Sequence, residues 1–216
     1  MKSKVLLIAI VAVLFQSCSK KGESVNPEPT PVTPTPIVYS KVFHDDFIDN
    51  SNNWFQGSDD TVYSNINNGS LFFSNKIETR AYCITKNILL DETKNFSIKV
   101  SFKWLGGVTN YGYGITWGRK NWDNYYAFLI NQSNVFTAFS IKNGVISRIQ
   151  DWIYSNQIKT NQNILEVRKE GSQLIFIANG IVLVKKPYQD FMGNEIGFQI
   201  ENKRDISIDY IDIVQW

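Results

Sequence analysis

The chain has 216 residues, of which 14% are aromatic and 19% charged, with a formal net charge of +2. High aromatic and low charged content suit an all-β extracellular domain better than a helical one. Lys2 and Lys4 belong to a predicted export segment, so residues 18–216 come to about zero (+2 minus 2), and a neutral chain with no basic patch argues against nucleic acid as a partner.

Residues 1–17 read as a lipoprotein signal peptide. Lys2 and Lys4 form a positive start, and Val5 to Phe15 is an apolar run too short for a bilayer, which needs roughly 20 residues. Leu14-Phe15-Gln16-Ser17-Cys18 resembles a bacterial lipobox, in a loose form similar to those of Bacteroidota. That resemblance implies cleavage before Cys18, acylation of Cys18 and a lipid anchor in the cell envelope, with the outer membrane as its place and the periplasmic or surface face left open. Residues 18–40 then form a Pro/Thr-rich tether, extended because such a run has no apolar surface to bury. With Cys18 acylated, Cys83 has no disulfide partner and is expected to be buried and inert.

Residues 41–216 are expected to fold as one domain of short strands. Val42 to Phe47 opens it. Thr61 to Ile66 and Leu71 to Ser74 flank Asn67-Asn68-Gly69, a tight-turn signal. Phe96 to Trp104 alternates apolar and polar residues as a half-buried strand does. Tyr111 to Ile130 is the densest aromatic stretch. At period 2, Tyr111, Tyr113, Ile115, Trp117 and Arg119 share one face, while Gly112, Gly114, Thr116 and Gly118 share the other. Such a bare row marks a close approach, a bend or a ligand. Tyr125 to Ile130 is apolar on both faces, as in a central strand buried from both sides. Strands follow around Asn143-Gly144, Glu170-Gly171-Ser172 and Asn179-Gly180, and Glu195 to Ile200 and Ile206 to Ile213 close the domain. In the last strand, Ile206 and Ile208 have one parity and Ile211 and Ile213 the other, which requires a bulge near Asp209-Tyr210. No stretch has a sustained helical period, so the expected fold is an all-β, two-sheet antiparallel jelly-roll sandwich.

Gly112-Tyr113-Gly114-Ile115, Gly118-Arg119, Asn124-Tyr125-Tyr126 and Phe128 resemble a pattern of concanavalin A-like, laminin-G-like bacterial domains. Asp46-Phe47 with Trp54, Asn179-Gly180, Ile196-Gly197-Phe198 and Ile208-Asp209-Tyr210-Ile211 extend it over about residues 42–216. The resemblance implies a jelly roll, with carbohydrate as the commonest ligand class. Members that cleave glucans carry Glu-x-Asp-x-x-Glu on one strand, placing alternate carboxylates on one face. That pattern is absent. Glu166 and Glu170 are the nearest approach and read as an exposed charged face. The single histidine, His44, is a poor triad member, and no phosphate loop or histidine-rich metal constellation occurs.

Arg119, Asn121, Trp122, Asp123 and Asn124 are the ligand-binding candidates. They fall in a loop between two strands and combine an aromatic ring for the C–H face of a sugar with polar groups for its hydroxyls. Arg119 paired with Asp123 across the turn is the plainer reading. Tyr113, Trp117, Tyr126 and Phe128 are expected in the core. Asp45 and Asp46 with Asp209 and Asp212 offer a structural calcium site if the first and last strands are neighbours; capping of turns and edges is the alternative, and no other cofactor is expected. The expected function is non-catalytic glycan binding by a lipid-anchored envelope protein. A glycoside-active enzyme with unrecognised carboxylates and a structural or protein-docking subunit are the alternatives.

Overall fold

The structure, a computed structural model, describes residues 37–216. The expected signal peptide, Cys18 and most of the expected tether lie outside the described residues. Residues 37–216 form a compact unit of two antiparallel sheets packed face to face, a jelly-roll sandwich. The larger sheet runs β13 (Ile181–Pro187), β12 (Gln173–Ala178), β11 (Gln162–Glu170), β6 (Phe96–Gly107), β15 (Arg204–Gln215), β4 (Ser70–Asn75), β3 (Val62–Asn67) and β2 (Gly57–Ser58). β1 (Ser40–Asp45) pairs with β15 beyond the end of β4. The smaller sheet runs β10 (Val145–Tyr154), β9 (Val135–Lys142), β8 (Asn124–Ile130), β7 (Tyr113–Asn121), β14 (Glu195–Glu201) and β5 (Ala81–Asn87).

The turns follow from residues that tolerate positive φ. Asn68 and Gly69, Asn143 and Gly144, and Asn179 and Gly180 all have it, and each pair makes the tight turn whose twist matches antiparallel strands. The expected bulge in β15 falls at Asp209, where Ile208 pairs with Phe102 and Tyr210 with the adjacent Ser101. One extra residue switches parity, so Ile206, Ile208, Ile211 and Ile213 all reach the core with no exposure.

Between the sheets lie alternate residues of both: Phe96, Ile98, Val100 and Phe102 from β6, Tyr113, Ile115 and Trp117 from β7, and Tyr126, Phe128 and Ile130 from β8. Each contributes about 1.5–3 kcal/mol by leaving water. Trp117 stacks on Tyr126 with centroids 5.4 Å apart, and Trp54 on Phe198 at 5.2 Å. The bare row is explained by close approach. A Cβ on Gly114 would lie 2.2 Å from the Phe128 carbonyl oxygen, and one on Gly197 would lie 2.0 Å from that of Ile84. Glycine lets these strands press together where no side chain fits.

Two expectations are corrected. Tyr111 precedes β7 and is exposed. Arg119 does not share the face of Trp117. The register between β7 and β14 gains a residue between Thr116, opposite Gly197, and Arg119, opposite Glu195. Gly118, with φ 57°, sits in that interval, and the irregularity turns Arg119 to the outer face of the smaller sheet.

Candidate functional site

The five predicted residues form one hairpin end. Asn121 pairs with Asn124, leaving Trp122 and Asp123 as the turn. The Asn121 side-chain oxygen accepts from the Asp123 N–H at 3.0 Å and from Asn124 Nδ2 at 3.1 Å. The Asn124 oxygen accepts from the Asn143 N–H at 3.1 Å, and the Gly144 N–H donates to the Asp123 carbonyl at 3.0 Å. Two adjacent turns are thereby tied into one rigid rim. The polar groups of Asn121 and Asn124 hold the turn, and the ring of Trp122 is the group presented, 45% exposed.

That ring is braced from two sides. The Arg119 guanidinium lies 5.0 Å from its centroid, and Tyr125 meets it edge-on at 6.2 Å. Arg119 pairs with Glu195, not with Asp123, because the irregularity at Gly118 points it across to β14. Glu195 also accepts from Thr85 Oγ1 at 2.9 Å. Sequence reasoning missed Tyr125 and Glu195 as parts of this assembly. Tyr125 borders the loop and could have been included; Glu195 is 76 positions from Arg119, and nothing local announces it.

Behind the rim, the outer face of the smaller sheet carries its own apolar cluster of Tyr125, Ala127, Leu129 and Phe139, with Ile141 packed against it. The Arg148 guanidinium covers Phe139 at 5.3 Å. Burial pushes the Tyr125 hydroxyl up. Burial likewise pushes the Cys83 thiol up to about 12, with nearby Arg119 opposing the shift, so Cys83 is a poor nucleophile. It donates to Gln199 Oε1 at 3.6 Å. At the far end of β14, burial raises the Glu201 carboxyl above its ordinary range, although the Gly112 N–H donates to it at 2.9 Å.

The acidic candidates for calcium have other partners. β1 does pair with β15, but buried Asp45 accepts from the Phe47 N–H at 2.8 Å, Asn52 Nδ2 at 2.8 Å and Trp54 Nε1 at 2.6 Å. Asp209 accepts from Ser70, Ser101 and Gln162, and Asp212 lies 3.1 Å from His44 Nδ1. Among the described residues, no group of three or more His, Cys, Asp or Glu side chains is placed to hold a metal ion. Glu166 is also not part of an exposed face. It is 4% exposed and accepts from Ser97 Oγ at 2.8 Å and Arg168 Nε at 2.7 Å.

No protein-family model matches the sequence, and neither does any curated protein. Solved structures do. A xylan β-1,4-xylosidase from Bacillus halodurans is similar over 85% of this chain and 41% of its own, at 12% identity and a TM-score of 0.57. A GH43 protein from Bacillus licheniformis is similar over 80% of this chain and 39% of its own, at 10% identity and a TM-score of 0.60. The chain therefore spans about two fifths of the length of these proteins. The CBM2 module of an evolved Dit from Lactobacillus casei BL23 phage J-1 matches over 82% of this chain and 95% of its own, at 13% identity and a TM-score of 0.53. At such identities the likeness establishes the sandwich fold.

Proposed function

We propose that residues 41–216 are a non-catalytic glycan-binding module, carried on a lipid-anchored tether in the cell envelope. The observation that carries the reading is Trp122: an exposed ring at the tip of a doubly tied hairpin, held in place by Arg119 and Tyr125. A pre-set aromatic plate suits the C–H face of a sugar because little freedom is lost on binding. The lipobox-like end at Cys18 and the Pro/Thr run support the anchor and the tether. The sandwich is shared with proteins whose names speak of xylan and of a CBM2 module, and the concanavalin A-like pattern in the sequence agrees with a carbohydrate ligand.

Hydrolysis is the weaker reading. Glu195 and Glu201 share the outward face of β14, but six residues of strand separate them by ~20 Å. Paired glycosidase carboxylates stand about 5–9.5 Å apart. Protein docking draws support from edge strand β10, where Val145, Ile146, Ile153 and Tyr154 are exposed.

A glycan array probed with the full chain, in a detergent without a sugar headgroup, tests the proposal. Trp122→Ala is expected to lower binding roughly thirtyfold or more, the weight of an aromatic hot spot of about 2 kcal/mol, with the fold intact by circular dichroism. A folded chain that binds no glycan on the array sinks the reading.

A further inference from the structure

We propose a second binding site, on the opposite side of the sandwich from Trp122: an extended groove along the outer face of the larger sheet that takes a linear, uncharged oligosaccharide. Three cavities lie in a row there, of about 580, 300 and 480 Å³. The first and second share Lys99 and Glu166, and the second and third share Ile164 and Asn179. They are stretches of one trough. Its floor is β11, whose alternate residues Gln162, Ile164, Glu166, Arg168 and Glu170 face outward at period 2. From Gln162 to Glu170 that floor runs ~26 Å, a length for a chain of units and not for one ring.

The lining sets the ligand chemistry. In the largest cavity Lys99 and Arg168 balance Glu166 and Glu170, and Lys159 in the third is the one further charged residue lining the trough, a near balance that selects for neither a polyanion nor a polycation. Tyr39 and Trp216 form an aromatic wall at its end, centroids 5.1 Å apart and 56° between planes. Trp216 is fixed by backbone hydrogen bonds in both directions with Asn95, at 3.1 and 3.2 Å. Tyr210 supplies a third ring in the middle cavity. Glu166 is locked by Ser97 and Arg168 through one oxygen, while its other oxygen faces Lys99 Nζ at 3.9 Å, beyond hydrogen-bond length. Glu166 is thus a buried, fixed part of the floor, and Lys99 beside it, with its side chain 42% exposed, is the donor open to the trough.

An extended peptide fits less well. β11 is paired on both sides, with β12 and β6, so the floor has no free backbone groups to pair with a peptide's own. Hydroxyls need only side-chain partners, and amides, carboxylates and hydroxyls are what the trough offers. The ligand class rests on the glycan reading above; the location does not use Trp122.

Calorimetry on the full chain tests it, with xylohexaose, cellohexaose and laminarihexaose beside the matching disaccharides. A hexasaccharide is expected to bind about tenfold or more tightly than its disaccharide, and Tyr39→Ala and Trp216→Ala each to remove that gain. Trp122→Ala is expected to keep it. Tyr39 is 59% exposed, so Tyr39→Ala decides the matter if Trp216→Ala fails to fold. Binding lost in Trp122→Ala but unmoved in Tyr39→Ala and Trp216→Ala overturns the groove and leaves the Trp122 site standing. No binding of any hexasaccharide, or displacement of a bound one by an unstructured peptide alone, also overturns it; the array then decides the Trp122 site separately.

Discussion

The outer faces of the two sheets treat the same strand geometry in opposite ways. On the smaller sheet, β8 is apolar on both sides, and its outward residues Tyr125, Ala127 and Leu129 are as buried as its inward ones. Arg148 covers this second cluster at Phe139, and Trp122 meets Tyr125 edge-on at its rim. On the larger sheet, β11 alternates: Leu165 and Val167 enter the core, while Glu166, Arg168 and Glu170 face outward and leave a trough. An apolar outward face uses up its own side chains in covering itself, which leaves only its rim for a ligand. A polar outward face buries only the groups it pairs, such as Glu166 with Ser97 and Arg168, and leaves relief between them.

Phe139→Ala gives the largest expected effect. It should destabilise the fold by about 3–5 kcal/mol, as loss of a buried aromatic does, whereas Tyr39→Ala on the open face should cost no more than ~0.5 kcal/mol. Equal midpoints for the two variants in urea unfolding would erase the distinction between the faces. Glu166→Ala comes next, at about 1–3 kcal/mol, because Ser97 and Arg168 lose their shared acceptor; Glu170→Ala, on an exposed group, should stay within ~0.5 kcal/mol. A cost for Glu170→Ala matching that of Glu166→Ala would show that the trough has no fixed polar floor.

The smallest effect is a slope. The Glu201 carboxyl is raised above its ordinary value of 4.5, first by burial. The folded chain therefore holds that proton more tightly than the unfolded chain. Its contribution is complete below the ordinary value and is lost as pH climbs through the raised one. Glu201→Gln should flatten this decline in unfolding free energy measured from pH 4 upward; an unchanged slope would place its origin elsewhere.

Local chemistry was legible in the sequence. Asn-Gly pairs announced three hairpins because αL-tolerant residues are needed there, and the parity switch from Ile208 to Ile211 announced the bulge at Asp209. The two apolar faces of Tyr125 to Ile130 announced burial on both sides. The exposed turn at Trp122 was also readable, since Asn121 and Asn124 hold it locally. What joins distant segments was not. Tyr39 meets Trp216, Ser97 meets Glu166 and Arg119 meets Glu195 only through sheet order. Ala81-Tyr82-Cys83-Ile84 is too short an apolar run to announce β5, and β10 reaches Tyr154 through bulges that break strict alternation. Arg119 was misassigned for a related reason: an inserted residue near Gly118 undoes a period-2 count.

β15 is last in chain order yet stands in the middle of the larger sheet, with β6 on one side and β4 followed by β1 on the other. As the chain is synthesised, everything before Arg204 can assemble only two separate ribbons of that sheet, one ending at β6 and one at β4, each with an open edge waiting for the same partner. Such edges are where nascent chains stick to one another. Completion of the sandwich is thus deferred to its last strand in chain order, and loss of β15 would cost the junction between two half-sheets and not merely an outer strand.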